Sequence, residues 1–158
     1  MQRKKVIRII AILAVAGLII GGGVGLYLFN MPQRDVQSVK TDYSVSSSQI
    51  VQEYLNDKDG ADQKYLASDG DSKILEVTGT VKSITEDFNG RKVVLLKGED
   101  DPAGVSASFT PDTESGLDGV GVGDKITLKG VIRSGASYDD DLGFYLNVIL
   151  EKTAVIGR

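Results

Sequence analysis

Leu75-Glu76-Val77-Thr78-Gly79-Thr80-Val81-Lys82-Ser83 and Ile126-Thr127-Leu128-Lys129-Gly130-Val131-Ile132-Arg133-Ser134 align on each other without a gap. Both runs are rich in β-forming residues. In the first, Leu75, Val77, Gly79 and Val81 alternate with Glu76, Thr78, Thr80 and Lys82, the period-two pattern of a half-buried strand. Each run carries a glycine at its centre. Glycine weakens a strand, so at mid-strand it marks a bend, a bulge or a close backbone approach. Two long strands bent at a central glycine are what a small, strongly curved barrel needs to serve both of its sides. Gly79 and Gly130 are therefore expected to be structural.

Beyond the first run, the period of two persists to the C-terminus. Asn89-Gly90 supplies the residues of a tight type I′ hairpin turn, which makes Gly90 a third structural glycine. Val93-Val94-Leu95-Leu96 returns as a strand buried on both faces. Val105, Ala107 and Phe109 alternate with Ser106, Ser108 and Thr110 in a third strand, and Lys125–Ser134 is the fourth. The fifth places Leu142, Phe144, Leu146, Val148 and Leu150 on one side and extends to Val155 and Ile156. Phe109 and Phe144 both fall on apolar faces and are expected in the core. Upstream, Ser48 can cap a helix whose residues Ile50, Val51, Tyr54 and Leu55 share one face. A further turn over Ala61–Leu66 completes a helical segment at 48–66. The apolar face predicts that this segment packs on the barrel.

The N-terminus has a different character. Ile9 to Phe29 is uncharged, and as a helix at 1.5 Å per residue it is about 31 Å long, roughly one bilayer core. Arg3, Lys4, Lys5 and Arg8 precede it, and the next basic residue is Arg34. The positive-inside bias predicts a single-pass signal anchor in the cytoplasmic (inner) membrane, with the tail 1–8 in the cytoplasm and the rest extracytoplasmic. A cleaved signal peptide is the competing reading. However, the apolar run continues well past Ala14-Val15-Ala16, and Tyr27-Leu28-Phe29-Asn30-Met31-Pro32 puts bulky residues where cleavage needs small ones. Gly17 and Gly21 form a small-xxx-small pair, so a helix-mediated dimer is open. Residues 30–47 read as a polar linker and 48–158 as one domain.

Composition narrows the function classes. Residues 30–158 hold all 22 acidic residues against 14 of the 18 basic ones, a net charge of −8. Such a domain repels polyphosphate, so nucleic acid is an unfavoured partner. There is no cysteine and no histidine. Disulfides are excluded, and the commonest general base and transition-metal ligand are missing. Gly119-Val120-Gly121-Val122-Gly123 precedes a strand and lacks a following Lys-Ser/Thr, so it reads as loop glycines rather than a phosphate loop. Asp57-Lys58-Asp59-Gly60 has Leu55 and Leu66 where a calcium loop needs acids. Glu99-Asp100-Asp101 and Asp139-Asp140-Asp141 read as solvated acidic loops. No catalytic set, cofactor motif or metal motif emerges.

With the strands assigned, a resemblance becomes specific. Ala61-Asp62-Gln63-Lys64-Tyr65 at a helix end, Val77-Thr78-Gly79-Thr80-Val81, Val105–Phe109 and Gly123-Asp124-Lys125-Ile126-Thr127-Leu128-Lys129-Gly130 resemble the tRNA_anti-like family. That family comprises bacterial exported OB-fold domains, mostly of unassigned function and often behind a membrane or lipid anchor. The likeness covers about residues 48–156. It implies a mainly β chain: a five-stranded OB-fold Greek-key barrel, preceded by a short helical segment and the N-terminal transmembrane helix. The family name reflects fold similarity to anticodon-binding domains and does not carry tRNA binding with it. Many relatives have a cysteine that this chain lacks, so lipidation does not transfer.

The family topology implies that the first and fourth strands are neighbours, with 113–120 joining the third to the fourth. Ligands on OB-folds meet strands two and three and the loops between strands one and two and between four and five. Here those loops are Glu86–Arg91 and Gly135–Asp141. The candidate ligand face is Phe88, Arg91, Lys92 and Tyr138, with Tyr145 on the opposite face of its strand. Phe88 and Tyr138 can stack on a ligand, but five carboxylates stand beside them and oppose phosphate. The expected function is a non-catalytic binding or interaction module for a protein partner or small ligand. The alternative is an oligonucleotide- or oligosaccharide-binding domain.

Overall fold

The computed structural model describes residues 2–29, 35–67 and 72–158. The chain divides into two units, 1–34 and 35–158. The first is α1 (Gln2–Phe29), a helix that takes in the basic tail as well as the apolar run. Leu13, Val15, Leu18, Ile19, Ile20, Val24 and Leu26 are all exposed along it. Among the described residues, no helix is long and apolar enough to cross a membrane. The expected 9–29 segment lies within this helix. The exit Asn30-Met31-Pro32 lies outside the described residues.

The second unit begins at Asp35, thirteen residues before the domain start expected at 48. Its elements are β1 (Tyr43–Ser46), α2 (Ser47–Asn56), α3 (Lys58–Tyr65), β2 (Ile74–Glu86), β3 (Lys92–Leu96), β4 (Val105–Phe109), a 3₁₀ turn (Glu114–Leu117), β5 (Lys125–Ser134), β6 (Ser137–Asp139), β7 (Phe144–Leu146) and β8 (Val148–Gly157). The sheet order β1-β2-β3-β4-β8-β5, with β5 pairing back to β2, closes a five-stranded barrel to which β1 is appended. β4 and β8 run parallel, while the other barrel pairs are antiparallel.

The two glycine-centred runs are the closing pair. In the β2–β5 register Gly79 faces Ile126 and Gly130 faces Leu75, so each glycine stands opposite the first apolar residue of the other run. β2 bends as expected: residues 74–80 pair with β5 and residues 81–86 with β3, with a register irregularity between Val81 and Ser83. The structure adds a reason for the glycines. A Cβ at Gly79 would sit 2.5 Å from Ser47 Oγ and 3.0 Å from Leu96 Cβ. One at Gly130 would run into the Thr153 methyl and come 3.1 Å from the Glu151 carbonyl.

The expected helical segment packs as its apolar face predicts. Ile50, Val51 and Tyr54 are buried in the main core with Tyr65, Leu75, Val77, Phe109, Leu128 and Leu150. The cap moves, however. Ser46, not Ser48, accepts from the Gln49 amide at 3.1 Å, a bond worth about 1 kcal/mol. Ser48 instead donates to Asp101 at 2.6 Å, which also holds the Gly98 amide. The Asp101 end of that acidic loop is therefore a turn brace.

Part of the expected linker is domain. Val36, Ile74 and Val131 form a second small core with Val39 beside it. Gln37 Nε2 donates to the Lys152 carbonyl at 2.8 Å, and Lys129 Nζ donates to the Gln37 and Val39 carbonyls. β1 then pairs with β2 in parallel, Val45 beside Val77. A four-residue strand with one inward side chain and two serines carries too little periodicity to read from sequence.

The fifth strand is also not continuous. β6 and β7 form their own two-stranded hairpin, and β8 starts afresh at Val148. Phe109 is 1% exposed, as expected of a core residue, but Phe144 is 51% exposed. Leu142 and Leu146 are exposed too, while Val148 and Leu150 are buried. The alternation is uninterrupted, yet β7 pairs only with β6, so its side chains never face the barrel interior.

Candidate functional site

The loop between β2 and β3 is built by Asp87. Its carboxylate accepts from the Asn89 amide at 2.8 Å and the Arg91 amide at 3.0 Å, and its carbonyl accepts from the Gly90 amide at 2.9 Å. Gly90 alone in this loop has a positive φ, +75°. This is a three-residue hairpin loop closed at a left-handed glycine rather than the two-residue type I′ turn expected, which would need positive φ at Asn89 also. Phe88 is carried at the tip, fully exposed. Arg91 is paired with Asp87 at 2.7 Å and Lys92 with Glu86. The Arg91 backbone bond first, then its side chain, hold the Asp87 carboxyl below the usual range. Glu86 raises the Lys92 ammonium in the same way. Both cations of the candidate face are thus committed to carboxylates of their own loop.

The other loop is the β6–β7 hairpin. Tyr138 and Tyr145 are direct cross-strand partners with ring centroids 4.9 Å apart, edge to face. Asp139 shapes its tip. Its carboxylate accepts from the Asp141 and Leu142 amides, its carbonyl accepts from the Gly143 amide, and Gly143 has φ +73°. Tyr138, Leu142, Phe144, Tyr145 and Leu146 are all exposed. Beside the hairpin lies an open cleft of about 520 Å³. Phe144, Tyr145 and Leu146 form one wall, Lys58, Asp62 and Leu66 of the α3 region another, and Ser106 and Ile149 the barrel side. Lys92 lines a separate cleft with Ile84, Glu114, Leu117 and Val120. The five candidate residues therefore divide between two places, and none of Phe88, Arg91 or Lys92 lines the larger cleft.

Sequence reasoning missed the α3 wall. Asp62 and Lys58 sit on a short helix capped by Asp57, whose carboxylate accepts the Gly60 amide at 3.0 Å. Behind that wall, Tyr54 packs its ring against Gly135 so closely that any Cβ there would collide with it. The Tyr54 hydroxyl is buried without a hydrogen-bond partner. Burial above all, then the nearby Asp62 carboxylate, push its pKa up. Nothing in the spacing of Tyr54, Asp62 and Gly135 signals this convergence, since it depends on how the helices dock.

On the other flank of α2 and α3, Glu53 accepts from Lys64 Nζ at 2.8 Å and the Tyr65 hydroxyl at 2.7 Å. Lys64 lies over the Tyr65 and Tyr43 rings, 4.6 and 5.3 Å from their centroids. Burial pushes the Glu53 carboxyl up, but bonds from Lys64, Tyr65 and Gln49 outweigh it and leave the pKa low. This cluster ties the two helices together, and Glu53 and Lys64 line an open cleft with Asn56, Asp57, Gly60 and Ala61. Among the described residues, no group of three or more His, Cys, Asp or Glu is arranged to hold a metal ion.

The crystal structure of a Klebsiella pneumoniae protein named "putative nucleic acid-binding lipoprotein" superposes with a TM-score of 0.52 at 17% identity, covering 80% of this chain and 99% of that one. At that identity the likeness concerns the fold. No curated protein matches. The tRNA_anti-like family model matches residues 1–141. With the closed OB barrel and the matching motifs on its strands, the chain belongs to the tRNA_anti-like family.

Proposed function

We propose that this protein is a non-catalytic binding module, an OB barrel held on the extracytoplasmic side of the cytoplasmic membrane by α1, which contacts a protein or small ligand through its β6–β7 hairpin. One observation carries the reading: the barrel core is sealed, yet five large apolar or aromatic residues of one short hairpin are left outside it. Contiguous exposed apolar surface is the informative kind and marks interaction sites. The anchor rests on the uncharged run 9–29, on the positive-inside bias, and on apolar residues exposed all round α1, as suits a helix surrounded by lipid. The Klebsiella relative is named a lipoprotein. In a chain without cysteine, a helix takes over that tethering role.

The relative's name also favours a second reading, nucleic-acid binding. Against it stand the neutralised Arg91 and Lys92 and the acidic hairpin tip. In-cell crosslinking of the full chain tests the choice. A dominant protein adduct from residues 135–146 supports the first reading. Crosslinks to nucleic acid, with an affinity that falls steeply as salt rises, would replace it with the second. The lack of native cysteine makes topology accessible as well. Ser115→Cys should react with a membrane-impermeant maleimide in intact cells and Lys5→Cys should not. The reverse pattern would overturn the orientation.

A further inference from the structure

The cleft between α3 and the β6–β7 hairpin combines two kinds of surface that a ligand must match together. One wall is aromatic, with Phe144 and Tyr145 exposed and Tyr145 held edge-on by Tyr138. The remainder is polar and almost balanced in charge: Lys58, Asp62, Ser106, Ser134, Ser137 and Asn147. Neither Lys58 nor Asp62 belongs to an ion pair among the described residues. Asn147 spends its carbonyl oxygen on the Gly104 amide at 2.8 Å, which turns its amide NH₂ into the available group. Behind the wall lies the unpartnered Tyr54 hydroxyl, close to Asp62 and under Gly135, both cleft residues.

From this arrangement we infer that the cleft binds a neutral oligosaccharide, with Phe144 and Tyr145 stacking on sugar ring faces and Asp62, Asn147 and the serines bonding its hydroxyls. The inference rests on the binding-module reading and names its ligand class. A sugar presents an apolar ring face and a rim of groups that both donate and accept, which this mixture of surfaces answers. A polyanion is opposed by Asp139, Asp140 and Asp141 at the hairpin tip and by Asp62 within the cleft. A purely apolar ligand would strand Lys58, Asp62 and Asn147 without water. The volume of about 520 Å³ lies in the usual range for ligand sites.

The test uses the full chain, ¹⁵N-labelled and solubilised in detergent, titrated to millimolar concentration with β-1,4-linked N-acetylglucosamine tetramer, cellotetraose, maltotetraose and, as polyanion, an oligothymidylate. At least one neutral sugar should shift the amides of residues 58–62, 134–137 and 144–147. Tyr145→Ala should weaken that binding about tenfold or more at unchanged melting temperature, and Phe88→Ala should leave it intact. Silence of those amides with every sugar, equal binding by Tyr145→Ala, or shifts with oligothymidylate alone would overturn the inference. If the sugars are silent while crosslinking still yields a protein partner, the binding-module reading survives without this ligand. Appearance of shorter sugars during the titration would instead retain the site and remove the non-catalytic reading.

Discussion

β2 and β5 on one side, and the β6–β7 hairpin on the other, carry the same alternation of apolar and polar residues and use it in opposite ways. Leu75, Val77 and Val81 of β2 and Ile126, Leu128 and Ile132 of β5 are sealed in the barrel. Leu142, Phe144 and Leu146, spaced just as regularly, lie open to solvent. The difference is not propensity. β2 and β5 pair over seven consecutive positions and close a cylinder, whereas three-residue β6 and β7 pair only with each other. At Asn147, whose side chain is bonded to the Gly104 amide, the chain leaves the hairpin and re-enters the barrel as β8. Alternation tells which residues share a face. Whether that face meets a core is decided by what pairs alongside.

The largest expected effect is the contrast of two phenylalanines. Phe109→Ala removes a fully buried ring and should cost about 3–5 kcal/mol in denaturant unfolding. Phe144→Ala should stay within about 0.5 kcal/mol. A comparable loss at Phe144 would mean that the hairpin is part of the core after all. Next is Gly79→Val against Thr80→Val on the same strand. The first forces a side chain into Ser47 and Leu96 and should cost about 1–3 kcal/mol. The second lies on the exposed face and should be nearly neutral. Equal melting shifts for the pair would break the account of how α2 crosses the bent strand.

A smaller effect separates the helix cluster from the hairpin by pH. Glu53 has a folded pKa below its ordinary value of about 4.5, its bonds to Lys64, Tyr65 and Gln49 having overcome burial. Glu76 is lowered too, first by its bond from Thr41. A carboxyl with a depressed folded pKa lends stability that is fully present above its unfolded pKa and is lost as pH falls through the folded one. Thermal stability should therefore hold near neutrality and decline below about pH 4.5. Glu53→Gln should be less stable at pH 7 and flatter across the acid limb. An unchanged acid limb in that variant would remove Glu53 from the helix–helix contact. Tyr138 and Tyr145, by contrast, touch no such charge pair, and Tyr145→Phe should leave the acid limb as it is.

Much of the fold was legible because it depends on local pattern. Val105–Phe109 and Lys125–Ser134 have the bounds their alternation predicts, and the buried face of α2 is the one its spacing marks. The candidate site was legible only in part. Tyr138 reads in the 135–141 loop and Tyr145 on the strand beyond it; the two pair across β6 and β7, and Tyr145 lines the cleft. Arg91 and Lys92 read as available cations because their partners, Asp87 and Glu86, are set by how the hairpin closes. Lys58 and Asp62 read as surface charge on a polar helix, since nothing in the chain says which wall that helix will form.

By itself, the sequence determined the β-rich domain, its two glycine-centred strands, the apolar N-terminal helix and the absence of any thiol or imidazole chemistry. Each of these follows from residue type and short-range period, which act within a turn or a strand. The tertiary structure alone decided that residues 35–46 strap the barrel, that the fifth strand breaks at Asn147, and that Tyr54, Asp62 and Gly135 converge behind one cleft. Those outcomes rest on contacts between segments distant along the chain, such as Gln37 with Lys152 and Asn147 with Gly104, whose geometry exists only once the barrel has closed.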